Sequence, residues 1–142
     1  MLLIMLYRIL LLLKTKTKSI FSKSIAFSAR VEYSFVSSKA KVWRGCVLNH
    51  ASVGDYSYIG PNCRLIHATV GKFCSIAGSS SIGMGTHSIS HLSTSPIFTS
   101  KKNGTGASWT QMNLFEEYRQ IQIGNDVWIG TNVLVMGGGG NW

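Results

Sequence analysis

Two histidines four positions apart, His87 and His91, lie in the stretch MGTHSISHLSTSPIF at residues 84–98. An imidazole titrates near neutrality, at about 6.5, so a histidine on an exposed loop is the side chain best suited to moving a proton. The other two histidines, His50 and His67, fall inside a regular repeat and read as surface or packing residues. Glu116 and Glu117 are the nearest doublet of acids and would orient His87 only if the loop folds back. No set of His, Cys, Asp and Glu has metal-ligand spacing, so no metal is expected. Cys46, Cys63 and Cys74 form no CxxC, and an odd count suggests reduced thiols in the cytosol more than a disulfide framework.

What positions the histidines is a repeat. Aliphatic residues recur at Val31, Val36, Val42, Val47, Val53, Ile59, Leu65, Val70, Ile76 and Ile82, in steps of five or six. Glycine follows directly at Gly54, Gly60, Gly71 and Gly83, which predicts a strained turn there. The pattern stops after Ile82 and resumes as Ile123-Gly124, Ile129-Gly130 and Val135. A six-residue period fits neither a helix nor one long strand. It fits a short strand plus a turn, stacked into a solenoid with one aliphatic side chain per unit pointing inward. Three units per coil place Val42, Ile59, Ile76 and Ile129 on one face. The same count stacks Cys46, Cys63, Ser80 and Val133 in one column, and Cys74 with Ala40, Ser57 and Val127 in another. The cysteines thus read as small buried hydrophobes.

The interruption, at about residues 84–121, is a long loop of the kind that usually carries function. Its centre, KKNGTGAS at 101–108, predicts a flexible tip. Pro96, Phe98, Trp109 and Phe115 are its apolar anchors, and LFEEYRQ at 114–120 predicts a helical turn or a returning edge strand.

The chain of 142 residues is 45% apolar and carries a net charge of +9. That charge does not describe a nucleic-acid binder. Six of the fourteen basic residues (Arg8, Lys14, Lys16, Lys18, Lys23, Arg30) lie in the first thirty positions, and the others are spread thinly with no interleaved stacking aromatics. Residues 1–28 form an apolar and basic segment, expected to be helical and to touch an anionic membrane surface or pack on the scaffold. Its apolar run, MLLIMLYRILLLL, is shorter than the roughly 20 residues a span needs.

The combination of VGKFCSIAGSSSIGMGTHSISHLSTSPIF with the later IGNDVWIGTNVLVMGG resembles the hexapeptide-repeat acyltransferases. Within them it is most similar to the xenobiotic acetyltransferases and their sugar O-acetyltransferase relatives. The resemblance covers about residues 47–138. It implies that the repeat over 29–142 forms an all-β, left-handed parallel β-helix extruding one long loop; the short helix expected at 1–28 lies outside the resemblance. It further implies a homotrimer using acetyl-CoA as acyl donor in clefts between subunits; the reduced thiols and residues 1–28 add the expectation of a cytoplasmic protein at the inner face of the membrane. His87 matches the family's catalytic base, which takes the proton of an acceptor hydroxyl as that hydroxyl attacks the thioester. Trp128, Gly130 and Thr131 match the cofactor side. His91, Phe98 and Trp109 are assigned to the acceptor side, with Trp109 doubling as a loop anchor. The implied reaction is O-acetylation of a sugar or surface polysaccharide; an antibiotic acceptor is the alternative. The chain stops at Trp142, before the further coil and terminal helix such relatives carry, so a truncated product is expected, and a silent β-helix is the second alternative.

Overall fold

The computed structural model describes residues 23–137. Each coil of the chain is three short strands joined by tight corners. The first coil holds β1 (Arg30–Glu32), β2 (Phe35–Val36) and β3 (Lys41–Val42). The second holds β4 (Val47–Asn49), β5 (Ser52–Val53) and β6 (Tyr58–Ile59), and the third β7 (Arg64–Ile66), β8 (Ala68–Val70) and β9 (Ser75–Ile76). The fourth begins with β10 (Ser81–Met84), releases the long loop, and resumes with β11 (Ile121–Ile123) and β12 (Trp128–Ile129); β13 (Leu134–Met136) opens a fifth.

Stacking produces three parallel sheets, ordered β1-β4-β7-β10-β13, β11-β8-β5-β2 and β12-β9-β6-β3. They are the three sides of a left-handed parallel β-helix, and no helix occurs among the described residues. Pairing joins positions seventeen apart, as in Val42 with Ile59 and Ile59 with Ile76. One side of every coil is therefore a residue shorter than the regular hexad would make it. The expected helix of the N-terminal segment falls on residues outside those described, except that 23–28 are turns and a bridge. There Ile25 pairs with Val42, so the coil reaches back past the expected boundary at residue 29. Among the described residues no helix is long and apolar enough to cross a membrane.

The core is three files of inward side chains, one from each sheet, meeting along the axis. Val42, Leu48, Val53, Ile59, Leu65, Ile76 and Ile82 are wholly buried, and each contributes about 1.5–3 kcal/mol. The inward residue of the second coil is Leu48, which pairs with Val31 and Leu65; Val47, expected there, faces out beside Arg30 and Arg64. Two positions before each aliphatic residue comes the small side chain, and the predicted columns form. Cys46 donates to the Gly60 carbonyl (3.0 Å), Cys63 to Ala77 (3.1 Å) and Ser80 to Gly130 (2.8 Å). In the second column Ser57 donates to Gly71 (2.7 Å) and Cys74 to Gly124 (3.1 Å). Contact with the Cys63 sulfur and burial together hold the Cys46 thiol above its ordinary range.

Of the four glycines expected at turns, Gly83 alone has a positive φ, and Gly54, Gly60 and Gly71 do something other than turn the chain. A Cβ on Gly71 would lie 2.4 Å from the Gly124 carbonyl oxygen, and one on Gly54 2.6 Å from that of Gly71. They are small because adjacent coils touch there. The left-handed corners fall three residues after the aliphatic positions instead, at Tyr56, Asn62, Phe73, Ser79, Asp126 and Asn132, with φ of 58–61°. On the short side the corner residues are Tyr33, His50 and His67, with φ of 47–49°. Their rings stack, Tyr33 on His50 at 5.0 Å and His50 on His67 at 4.8 Å, nearly parallel. Each such corner costs on the order of 1 kcal/mol, and ring contacts between successive corners offset part of that cost.

Candidate active site

The loop leaves the prism at a defined break. Gly83 has φ of +79°, and a Cβ there would lie 1.7 Å from the Ile66 carbonyl oxygen, so only glycine fits. The register between β10 and β13 shifts at this point, which bends the end of β10 outward. Gly85 lies flat against the Tyr118 ring, where a Cβ would come within 3.0 Å. Thr86 donates its N–H to the Glu117 carbonyl at 2.9 Å. Tyr118 in turn leans on His67 at 6.1 Å, continuing the corner stack into the loop. The returning arm thus clamps the residues just before His87 to the coil.

His87 is exposed, and its ring meets no hydrogen-bond partner among the described residues. His91 is also exposed, but its Nδ1 is engaged by the hydroxyl of buried Ser88. The two histidines therefore differ: one ring has no hydrogen-bond partner among the described residues, the other is oriented by Ser88. Glu117 accepts the Ser100 hydroxyl at 2.5 Å and Glu116 faces Arg119 at 3.9 Å, so neither orients His87.

Phe98 and Trp109 pack edge to face at 5.1 Å, and Trp109 N–H donates to the Ile97 carbonyl at 2.9 Å. They pin the two arms of the loop to each other. The tip at 101–108, expected to be flexible, is gathered by the Asn103 amide, which donates to the carbonyls of Pro96 (3.2 Å), Ser100 (2.9 Å) and Ala107 (3.0 Å). Residues 114–120 form bends, neither helix nor strand. Beside them opens a groove of about 470 Å³ lined by Lys102, Asn113, Phe115, Glu116, Glu117 and Tyr118 among others. No motif in the sequence marked it; the Glu116-Glu117 doublet was its one visible trace.

On the far side of the prism, Trp128 stands 77% exposed in the outward column of Lys41, Tyr58 and Ser75. Beside it Gly130 faces open space, with nothing within 4 Å of a Cβ, and Thr131 is exposed. Asn125 and Asp126 hold the preceding corner, Asn125 accepting the Lys72 N–H and Asp126 N–H donating to the Lys72 carbonyl, both at 2.8 Å. The loop leaves from the corner between β10 and β11, whereas Trp128 lies on the sheet opposite that corner. The corner from which the loop leaves and the sheet bearing Trp128 thus lie on different sides of the coil.

Stacked three-sided coils with an inward aliphatic per short strand define the class: a hexapeptide-repeat β-helix. The family model described as GlmU-like, C-terminal hexapeptide matches residues 14–105, well over half of the chain, and the chain belongs to that family. This places it with the hexapeptide-repeat, acyltransferase type of protein. No curated protein and no solved structure matches the chain.

Proposed function

We propose that this protein is an acetyl-CoA-dependent O-acetyltransferase that acylates a hydroxyl of a sugar or surface polysaccharide, with His87 as general base. The observation that carries the proposal is the contrast around His87. Its backbone is clamped through Gly85, Thr86, Glu117 and Tyr118, while its imidazole is exposed and unpartnered among the described residues. A base needs that combination, a fixed position and an unoccupied nitrogen.

The reaction balances without a covalent enzyme intermediate. The acceptor oxygen attacks the thioester carbonyl as His87 takes its proton. The tetrahedral intermediate then collapses, the carbon–sulfur bond breaks, and the imidazolium returns the proton to the departing CoA thiolate. Trp128 offers an apolar wall, and the open backbone at Gly130 and Thr131 offers polar groups, for the pantetheine arm of the donor. Because Trp128 lies across the prism from the loop, the working site is assembled by His87 of one subunit and Trp128 of a neighbour in a homotrimer. Residues 1–28 hold the trimer at the cytoplasmic face of a membrane, near its glycan substrate.

Release of free thiol from acetyl-CoA in the presence of simple sugars tests the reading. His87→Ala lowers that rate by about 10²- to 10⁴-fold without loss of the fold. Equal rates for wild type and His87→Ala with every acceptor would sink it.

A further inference from the structure

We infer that the groove between Lys102 and Tyr118 is the acceptor subsite and that it takes an uncharged, polyhydroxylated sugar unit. This rests on the acetyltransferase reading and names its substrate more closely. The groove, at about 470 Å³, falls within the roughly 300–1,000 Å³ range of small-molecule sites.

Its position ties it to His87. Glu117, which lines it, holds the Thr86 N–H through its carbonyl at 2.9 Å, and Tyr118, which also lines it, lies against Gly85. The wall of the groove is therefore the clamp on the GTH segment. Of the residues expected on the acceptor side, Phe98 and Trp109 pack edge to face with each other and do not line the groove.

Its chemistry selects the ligand. Lys102 Nζ has no partner among the described residues, and the Asn113 side-chain oxygen is taken by the Lys101 N–H (2.8 Å) while its amide N–H groups are unengaged. Glu117 has one carboxylate oxygen on Ser100, leaving the other open. Glu116 is exposed and meets Arg119 only at 3.9 Å. The lining thus offers donors at Lys102 and Asn113 and acceptors at Glu116 and Glu117, beside the rings of Phe115 and Tyr118. Sugar hydroxyls both donate and accept, and their C–H faces lie on aromatic rings. Within the lining two carboxylates meet one lysine, which disfavours a phosphate or a uronate; Arg119, facing Glu116, lies outside that lining. The mostly polar lining is a poor match for a largely apolar antibiotic.

The test is titration of the ¹⁵N-labelled full chain, without acetyl-CoA, with methyl β-glucoside, methyl β-galactoside and glucuronate. At least one neutral glycoside is expected to shift the amides of 113–118 and of Thr86 at millimolar concentration, with glucuronate at least tenfold weaker. Lys102→Ala, which removes an exposed and unpartnered side chain, is expected to weaken the neutral glycoside about tenfold. The inference is overturned if neither glycoside moves these amides, if glucuronate binds as well, or if Lys102→Ala leaves the Kd unchanged. Sugar binding that persists while no acetyl transfer occurs sinks the acetyltransferase reading instead. Thiol release that proceeds with these amides unmoved sinks only the subsite.

Discussion

At the scale of single residues, the cysteines are the sharpest case. Cys63 shares its column and its bond to a neighbouring carbonyl with Ser80. A serine therefore has a ready partner in that slot, and Cys63→Ser is expected to cost less than about 1 kcal/mol in urea unfolding, because its buried hydroxyl keeps a hydrogen bond. Cys63→Leu, with no space to fill, costs about 1–3 kcal/mol or more. Gly83→Ala is expected to cost more still, since it meets both a forbidden φ and the Ile66 carbonyl. Asp55 gives a pH signature. The Ser37 hydroxyl and the Lys39 ammonium, 3.5 Å away, hold its carboxyl below the ordinary range. The folded pKa is the lower one, so this stabilisation is complete above the unfolded value of about 3.9 and is lost as pH falls through the folded pKa. Asp55→Asn flattens that acid limb of the urea midpoint against pH and lowers the midpoint at neutrality, where the stabilisation is otherwise complete.

At the scale of elements, the question is what holds the loop. The contacts of Tyr118 with His67 and Gly85 connect the corner stack to the returning arm. Tyr118→Ala is expected to speed amide exchange at Thr86 and Leu114, whose bonds to Glu117 and Thr99 span the arms, while amides of β4 to β9 keep their protection. Exchange unchanged at Thr86 would show that the ring does not seat the loop. The repeat, the cysteine columns and the loop boundaries were legible in the sequence because a period is a local pattern. The errors are local too. Val47 and Leu48 are both aliphatic and adjacent, so only pairing with Leu65 decides which faces in. Glycines after the aliphatic residues suggested turns, because a sequence does not display the next coil pressing on Gly71. The stack of Tyr33, His50 and His67 lies seventeen residues apart at each step, and the groove joins residues from both loop arms. Neither is written in any one segment.

At the scale of the molecule, the proposed trimeric site, shared between subunits, has a direct consequence. His87→Ala and Trp128→Ala are each expected to be inactive alone. Refolded together, they regain activity, because some mixed trimers carry one intact cleft; no recovery would place both groups in a single subunit. The lysines and arginines of 1–30 carry much of the charge, so binding to anionic vesicles is expected to fall with salt.

The register across the loop has a further meaning for how such a protein changes over time. β11 rejoins β8 in the same alignment that β8 keeps with β5, with Ile123 on Val70 and Val70 on Val53. Where ordinary coils return after seventeen residues, this one returns after fifty-three, from Val70 to Ile123. By chain-closure entropy that longer detour adds only about 1 kcal/mol, and doubling a loop adds about 0.6 kcal/mol. The exit at Gly83 and the return at Ile121 behave as a socket. Loops of other lengths and compositions can be exchanged there at small thermodynamic cost, so under the proposed function acceptor preference can diverge among descendants while the prism stays the same.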